Sequence, residues 1–219
     1  MKSRGRRTGP KPGFAYEDVV TAALEIGIRD FTLTGVAKRL GVGTPALYRT
    51  IESRDDLLRG CLKRLVREYE SPIPDVGWRD LLRHQADRMW ELLDRYPGLA
   101  ETLLVVTWAH HYFATGVKAG TDALVERGFS PDDAALAVDF IGDTVLCTHM
   151  VIEAYREAVP IRDGGAATGL EAAAENFARE DVAKQLPEQL APNDDWADRG
   201  FLDRKIEFII EGMARRVGE

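Results

Sequence analysis

The sequence predicts an all-α protein, with an N-terminal three-helix head built around a helix-turn-helix and a C-terminal helical bundle behind it. Three observations carry this prediction. Apolar residues recur at three- and four-residue steps from Tyr16 almost to the end, with no alternating strand pattern and no internal repeat. Capping residues, glycines and prolines punctuate those runs at the places where helices start and stop. The charge is also divided. Residues 1–60 carry eleven Lys and Arg against seven Asp and Glu, so a head of +4 leads a remainder of −11 within a net −7. A basic head on an acidic body means that only the head is suited to a polyanion, unless its charge is merely solvated.

Residues 1–13, MKSRGRRTGPKPG, are basic and rich in Gly and Pro, the composition of a mobile arm. Tyr16, Val19, Val20, Ala23 and Ile26 then mark a first helix over about 16–27, closed by Gly27. Thr32 is the expected N-cap of a second helix with Val36, Ala37 and Leu40 inward, and Gly41 ends it. Val42-Gly43 makes a tight turn. Thr44-Pro45 reads as a cap followed by proline at the first helical position, opening a third helix of barely more than one turn. Ser53-Arg54-Asp55-Asp56 opens a fourth helix running to about Glu70.

The Pro-rich segment 71–77 marks the expected boundary between a 14–70 head and a 71–219 body. In the body, Trp78, Leu82, Ala86, Met89, Leu93 and Tyr96 form a helical stripe that Gln85 interrupts, ending at Pro97. Shorter helices are expected over about 98–107 and 110–127, the latter with Phe113, Val117, Gly120 and Leu124 on one side. Ser130-Pro131-Asp132-Asp133 combines a cap, a proline and two first-turn acids, and begins a helix that can reach Ala158. One helix at most is expected near 169–186. A last one, over 201–217, carries Leu202, Ile206, Ile209, Met213 and Val217 as a heptad-like stripe. Cys61 and Cys147 both fall among apolar residues and read as buried free thiols.

Two short helices joined by a glycine turn, behind a longer bracing helix, make a helix-turn-helix. The stretch Thr32-Leu-Thr-Gly-Val-Ala-Lys-Arg-Leu-Gly-Val-Gly-Thr-Pro-Ala-Leu-Tyr48 and its continuation to Leu58 resemble the head of the TetR family. Thr32, Ala37, Gly41, Val42, Leu47, Tyr48 and Leu57 hold that family's spacing over residues 15–62. Ile51, Arg54 and Thr50 depart from its usual Phe, Lys and His. The resemblance implies operator binding, with Thr32, Tyr48, Thr50 and Arg54 on phosphates and Arg49 on phosphate or base. Thr44, Pro45 and Ala46 would face base edges, the first by hydrogen bonding and the others against a thymine methyl. Arg4, Arg6, Arg7 and Lys11 in the arm suit a narrow minor groove, or else form a solvated tail.

The resemblance extends more loosely to the body, where Gly77-Trp-Arg-Asp-Leu-Leu, Tyr96-Pro-Gly-Leu and Gly128-Phe-Ser-Pro-Asp-Asp-Ala-Ala are similar to the tetracycline-repressor-like C-terminal class. It implies a homodimer through segments 130–157 and 201–217, and a pocket for a small-molecule inducer. Met89, Trp90, Trp108, His111, Phe113, Asp143, His149, Met150 and Glu153 are the candidate lining, or plain core. His149 and Glu153, four apart, are too few ligands for a metal and are expected to hydrogen-bond to each other.

No metal or other cofactor is expected. No phosphate loop, nucleophile elbow, His-Glu-x-x-His or paired cysteines point to an enzyme. No run of 18 apolar residues suggests a membrane span, and no apolar stretch follows the basic start as a signal peptide would require, so the expected location is cytoplasmic. The expected function is a ligand-released repressor on a palindromic operator. The alternative is an architectural or partner-controlled DNA-binding protein without an inducer.

Overall fold

In a computed structural model, residues 13–160, 164–179, 185 and 187–218 are described; Arg4, Arg6, Arg7 and Lys11 lie outside them. Packing divides the chain into two units, one ending at Arg64 and one beginning at Leu65. The division falls inside a helix, because the prolines at 72 and 74 mark where that helix has ended, not where its packing partners change.

The first unit holds α1 (Tyr16–Ile26), α2 (Leu33–Arg39), α3 (Thr44–Leu47) and the start of α4 (Arg54–Tyr69). The Thr32 hydroxyl accepts the Gly35 N–H at 3.0 Å and so caps α2. Gly41, at φ +68°, gives the chain the left-handed turn between α2 and α3. The expected cap at Thr44 is corrected: Gly43 is the N-cap of α3 and Thr44 its first residue, since the proline at the second position fits either register. The Ser53 hydroxyl accepts the Asp56 N–H at 3.0 Å ahead of α4. Val19, Val20, Ala23, Val36, Leu47, Ile51 and Leu57 are all buried and form the core of this unit. Gly60 lets α4 pass close to Tyr16, whose hydroxyl would lie 2.2 Å from an added Cβ.

In the second unit, α5 (Trp78–Arg95), α6 (Leu99–Val105), α7 (Ala114–Glu126), α8 (Pro131–Arg156), α9 (Gly169–Phe177) and α10 (Leu202–Arg216) pack together. The Ser130 hydroxyl caps α8 by accepting the Asp133 N–H at 3.1 Å. α8 is the central helix, in contact with α5, α6, α7, α9 and α10. An 18-residue window of it has a mean hydropathy of 1.6, long and apolar enough to cross a membrane by length and composition only, as the core helix of a folded domain also can be. Its buried row of Ala134, Ala137, Ile141, Val145 and Ile152 faces the other helices. Charged side chains tie α10 to its neighbours: Arg83 donates side-on to both Glu207 oxygens at 2.7 Å, and Arg216 donates to Asp133 at 2.6 Å.

Several expectations for this unit are corrected. The helix expected from 110 begins as a 3₁₀ turn, Ala109–Phe113, because four consecutive bulky rings crowd a full α-turn. Val117 is half exposed. A two-stranded antiparallel pair, β1 (Ala158–Pro160) and β2 (Ala166–Thr168), follows α8; three residues per strand are too few to show alternation. α9 ends at Phe177. The stripe on α10 is core within the subunit: Leu202, Ile206 and Met213 are buried with Ile210, while Ile209 and Val217 are only half-buried. Cys61 is buried, and burial pushes its thiol up to about 12. Cys147 is exposed, because the row of α8 at that level turned inward is Val145 and Thr148.

Candidate DNA interface and ligand cavity

In the first unit, the buried Leu47 fixes α3 and leaves its other side chains turned out. Pro45, Tyr48 and Arg49 are exposed, Tyr48 by 56%, while Thr44, Ala46 and Thr50 are half-buried. The side chain of Arg49 makes no ion pair or hydrogen bond to a described residue, so its guanidinium is available. Thr32 is exposed, and its cap bond uses only a lone pair, leaving the O–H to donate. Arg54 is committed differently. Its Nε and Nη2 donate to the carbonyls of Phe31 and Arg29 at 3.2 and 3.1 Å, and its guanidinium lies 4.5 Å over the Phe31 ring. It therefore clamps the turn between α1 and α2.

In the second unit lies a cavity of about 990 Å³, walled by the end of α4, residues 70–74, α5, the 3₁₀ turn, α7 and α8. Of the nine residues expected to line it, Met89, His111, Phe113 and Asp143 do so. Trp90, Trp108, His149, Met150 and Glu153 do not. Trp90 meets the His149 ring edge-on in the core, Trp108 stands against Tyr112, and Met150 faces outward.

The expected His149–Glu153 hydrogen bond is absent. His149 Nδ1 and Glu153 Oε1 are 3.6 Å apart, and Glu153 Oε1 instead accepts the Gly98 N–H at 2.8 Å. Glycine at φ +81° presents that N–H where α6 begins, and a carboxylate there suits the helix N-terminus. Both His149 ring nitrogens are buried without a hydrogen bond, and burial pushes the imidazole down to about 4. No group of three or more metal-ligating side chains occurs among the described residues.

The wall contains polar residues that sequence reasoning missed. Tyr69, His84, Gln85 and Arg88 all line the cavity. Gln85 had one legible signal, as the polar break in the α5 stripe. Gly120 on α7 accommodates it: an added Cβ would stand 2.3 Å from Gln85 Nε2.

No family model matches the chain. Among curated proteins, it is 37% identical over 105 residues to the HTH-type transcriptional repressor DrrR1 of Streptomyces coeruleorubidus, covering 44% of this chain and 39% of that protein. The similarity thus spans about two-fifths of that relative's length. A wider match, 26% identical, covers 97% of this chain and 90% of an HTH-type transcriptional regulator of Saccharopolyspora erythraea. The class D tetracycline repressor protein of Escherichia coli is 28% identical over 158 residues, 69% of this chain and 71% of that one. Among solved structures, the Streptomyces coelicolor TetR family protein ActR in complex with actinorhodin superposes with a TM-score of 0.71 at 20% identity, over 95% of this chain and 99% of that one. TetR from Acinetobacter baumannii AYE gives 0.60 at 19% identity, over 94% and 100%. In its head spacing the chain is thus similar to helix-turn-helix transcriptional regulators, a tetracycline repressor among them, and in its all-α fold to solved proteins of the TetR family.

Proposed function

We propose that the protein is a repressor that binds a palindromic operator as a homodimer and releases it when a small organic molecule fills the cavity. The observation that carries this reading is α3, held by the buried Leu47 with Pro45, Tyr48 and Arg49 turned outward behind a Gly41 turn. That is the geometry a recognition helix needs to enter a major groove. Thr44, Pro45 and Ala46 would read bases, while Thr32, Tyr48, Thr50 and Arg49 hold phosphates. Arg54 would act on DNA chiefly through the turn it clamps. The arm would add minor-groove contacts.

One head covers a half-site, so a two-fold copy is required. The outward apolar side chains of α8 and α10, Phe140, Val151 and Phe208, support that pairing. The cavity supports an effector, as do two structural neighbours: ActR is bound to actinorhodin, and a single-residue variant of the Acinetobacter TetR is bound to minocycline. An effector releases DNA only if it binds the two conformers with different affinity.

The test is binding to DNA from upstream of the protein's own gene, across a salt series, for the protein and for Tyr48→Ala. Salt-sensitive binding at one palindromic site, weakened at least tenfold by the substitution, supports the reading. Binding with no site preference and no dependence on Tyr48 would overturn it.

A further inference from the structure

The wall of the cavity is helical on most sides, but residues 70–74 contribute a stretch that belongs to no helix. It is part of the segment Ser71–Val76 that joins α4 to α5. The exposed rim supplied by α7 and α8, with Thr115, Val117, Lys118 and Asp139, is tied internally by helical hydrogen bonds. The joining segment has no such support. Pro72 and Pro74 carry no N–H. Its one backbone bond among the described residues stays inside the segment, from the Val76 N–H to the Pro74 carbonyl. Ser71, Pro72 and Asp75 are exposed, and Ile73 and Val76 are exposed by 38% and 37%.

A single side chain reaches across to it. Arg127, half-buried just past the end of α7, donates from Nε to the Val76 carbonyl at 2.8 Å and from Nη2 to the Pro74 carbonyl at 3.2 Å. Its Nη1 donates to the carbonyl of the buried Ala123 at 2.8 Å. The guanidinium is thus anchored on the last turn of α7 by one arm and holds the segment by the other two donors. Among the described residues, no carboxylate pairs with Arg127, and no other hydrogen bond from outside reaches Ser71–Val76. A charged donor on a carbonyl is stronger than a neutral one, and the rigid fork fixes both carbonyls together. A segment with so few bonds and so little burial opens locally long before the molecule unfolds.

We propose that Ser71–Val76 is the gate of the cavity and that Arg127 is its latch, a positioning residue that sets how readily a small molecule enters and leaves. The segment swings about its two ends, Glu70 where α4 has stopped and Gly77 where α5 is capped. The two prolines fix φ, so it moves as a stiff unit and does not crumple. Opening takes Ile73 and Pro74 out of the wall and leaves the helices in place. The inference rests on the cavity alone, and it stands whether or not the protein is a repressor.

The test places a thiol in the wall, Leu81→Cys, and measures its rate of modification by methyl methanethiosulfonate in the purified full chain, each cysteine being read separately by peptide mass spectrometry. Leu81 is fully buried although it lines the cavity, and it lies one turn into α5 from the segment, so the reagent reaches it only after a movement. The native thiols are internal controls: the exposed Cys147 gives the unhindered rate, and the buried Cys61 reports general loosening. Adding Arg127→Ala removes both bonds to the segment and should speed reaction of the introduced thiol about tenfold, with Cys147 unchanged and Cys61 still silent. Arg127→Lys keeps the charge without the fork and should give an intermediate rate. If the alanine variant fails to fold, the lysine variant decides alone, a faster rate supporting the latch. A rate that neither substitution moves, or one that rises only in step with Cys61, would overturn the proposal.

Discussion

The imidazole of His149 stands edge-on to the indole of Trp90, ring centroids 4.7 Å apart, at a place where neither imidazole nitrogen has a hydrogen bond. Glu153 lies 3.6 Å from one nitrogen and Asp94 lies 3.8 Å from the other, but Asp94 is already held by Arg156 at 2.7 Å and Glu153 by the Gly98 N–H. Desolvation outweighs those carboxylates and keeps the ring neutral, with a folded-state value of about 4.

The sign of the pH effect follows. The unfolded chain binds a proton at His149 near pH 6.5, and the folded chain resists until about 4. Stability is therefore full above about pH 6.5 and falls as the pH drops toward 4, by up to about 3 kcal/mol from this group. Melting temperatures measured between pH 7.5 and 4 should decline less steeply for His149→Phe than for the parent. Parallel curves would show that the ring titrates normally.

Phe208 on α10 is 77% exposed, and Phe140 and Val151 on α8 are about half exposed. Such side chains on one subunit call for a partner. Phe208→Glu is expected to convert a dimer to a monomer in sedimentation equilibrium at micromolar concentration, and to abolish operator binding with the monomer still helical. An unshifted mass would place the interface elsewhere.

Gly41 has φ +68° and open space where a Cβ would stand. Gly41→Ala thus meets no neighbour and tests the backbone alone. A loss of about 1 kcal/mol in urea unfolding is expected. A larger loss in operator affinity should accompany it, because this turn sets the angle between α2 and α3.

The arm carries Arg4, Arg6, Arg7 and Lys11. Deleting residues 1–12 should flatten the dependence of log affinity on log salt by up to about 7, roughly 0.9 for each phosphate that the eight cations of a dimer's two arms would neutralise. An unchanged slope would mean that the arm is only solvated.

Much of this was legible because helix starts are written locally. Thr32, Ser53 and Ser130 cap the helices they were expected to cap, and the spacing from Thr32 to Leu57 carried both the motif and the family resemblance. The misses share one cause. Helical periodicity shows that a side chain is on an apolar face, but not what that face meets. Trp90 and His149 meet each other instead of a cavity, the α10 stripe meets its own subunit, and Cys147 meets none of the core. Arg54 was read from its charge, while its donors are spent on carbonyls 25 and 23 residues earlier in the chain. Gln85 was discounted as an interruption, although a polar residue within an apolar stripe needs a polar destination, and here that is the cavity.

The consequence of α8's central place is evolutionary. Ile141 and Val145 on this helix are core, Gly142 and Asp143 border the cavity, and Phe140 and Val151 point outward. These duties alternate along a few consecutive residues. Adapting the cavity to another molecule through α8 would therefore disturb folding within one helical turn, and so would changes on α5, whose Leu81, Leu92 and Leu93 are both buried and part of the wall; α7, with Gly120, Ala123 and Leu124 as its buried residues, can drift more freely. Divergent descendants of this chain should acquire new cavity preferences through α7, with α5 and α8 changing last.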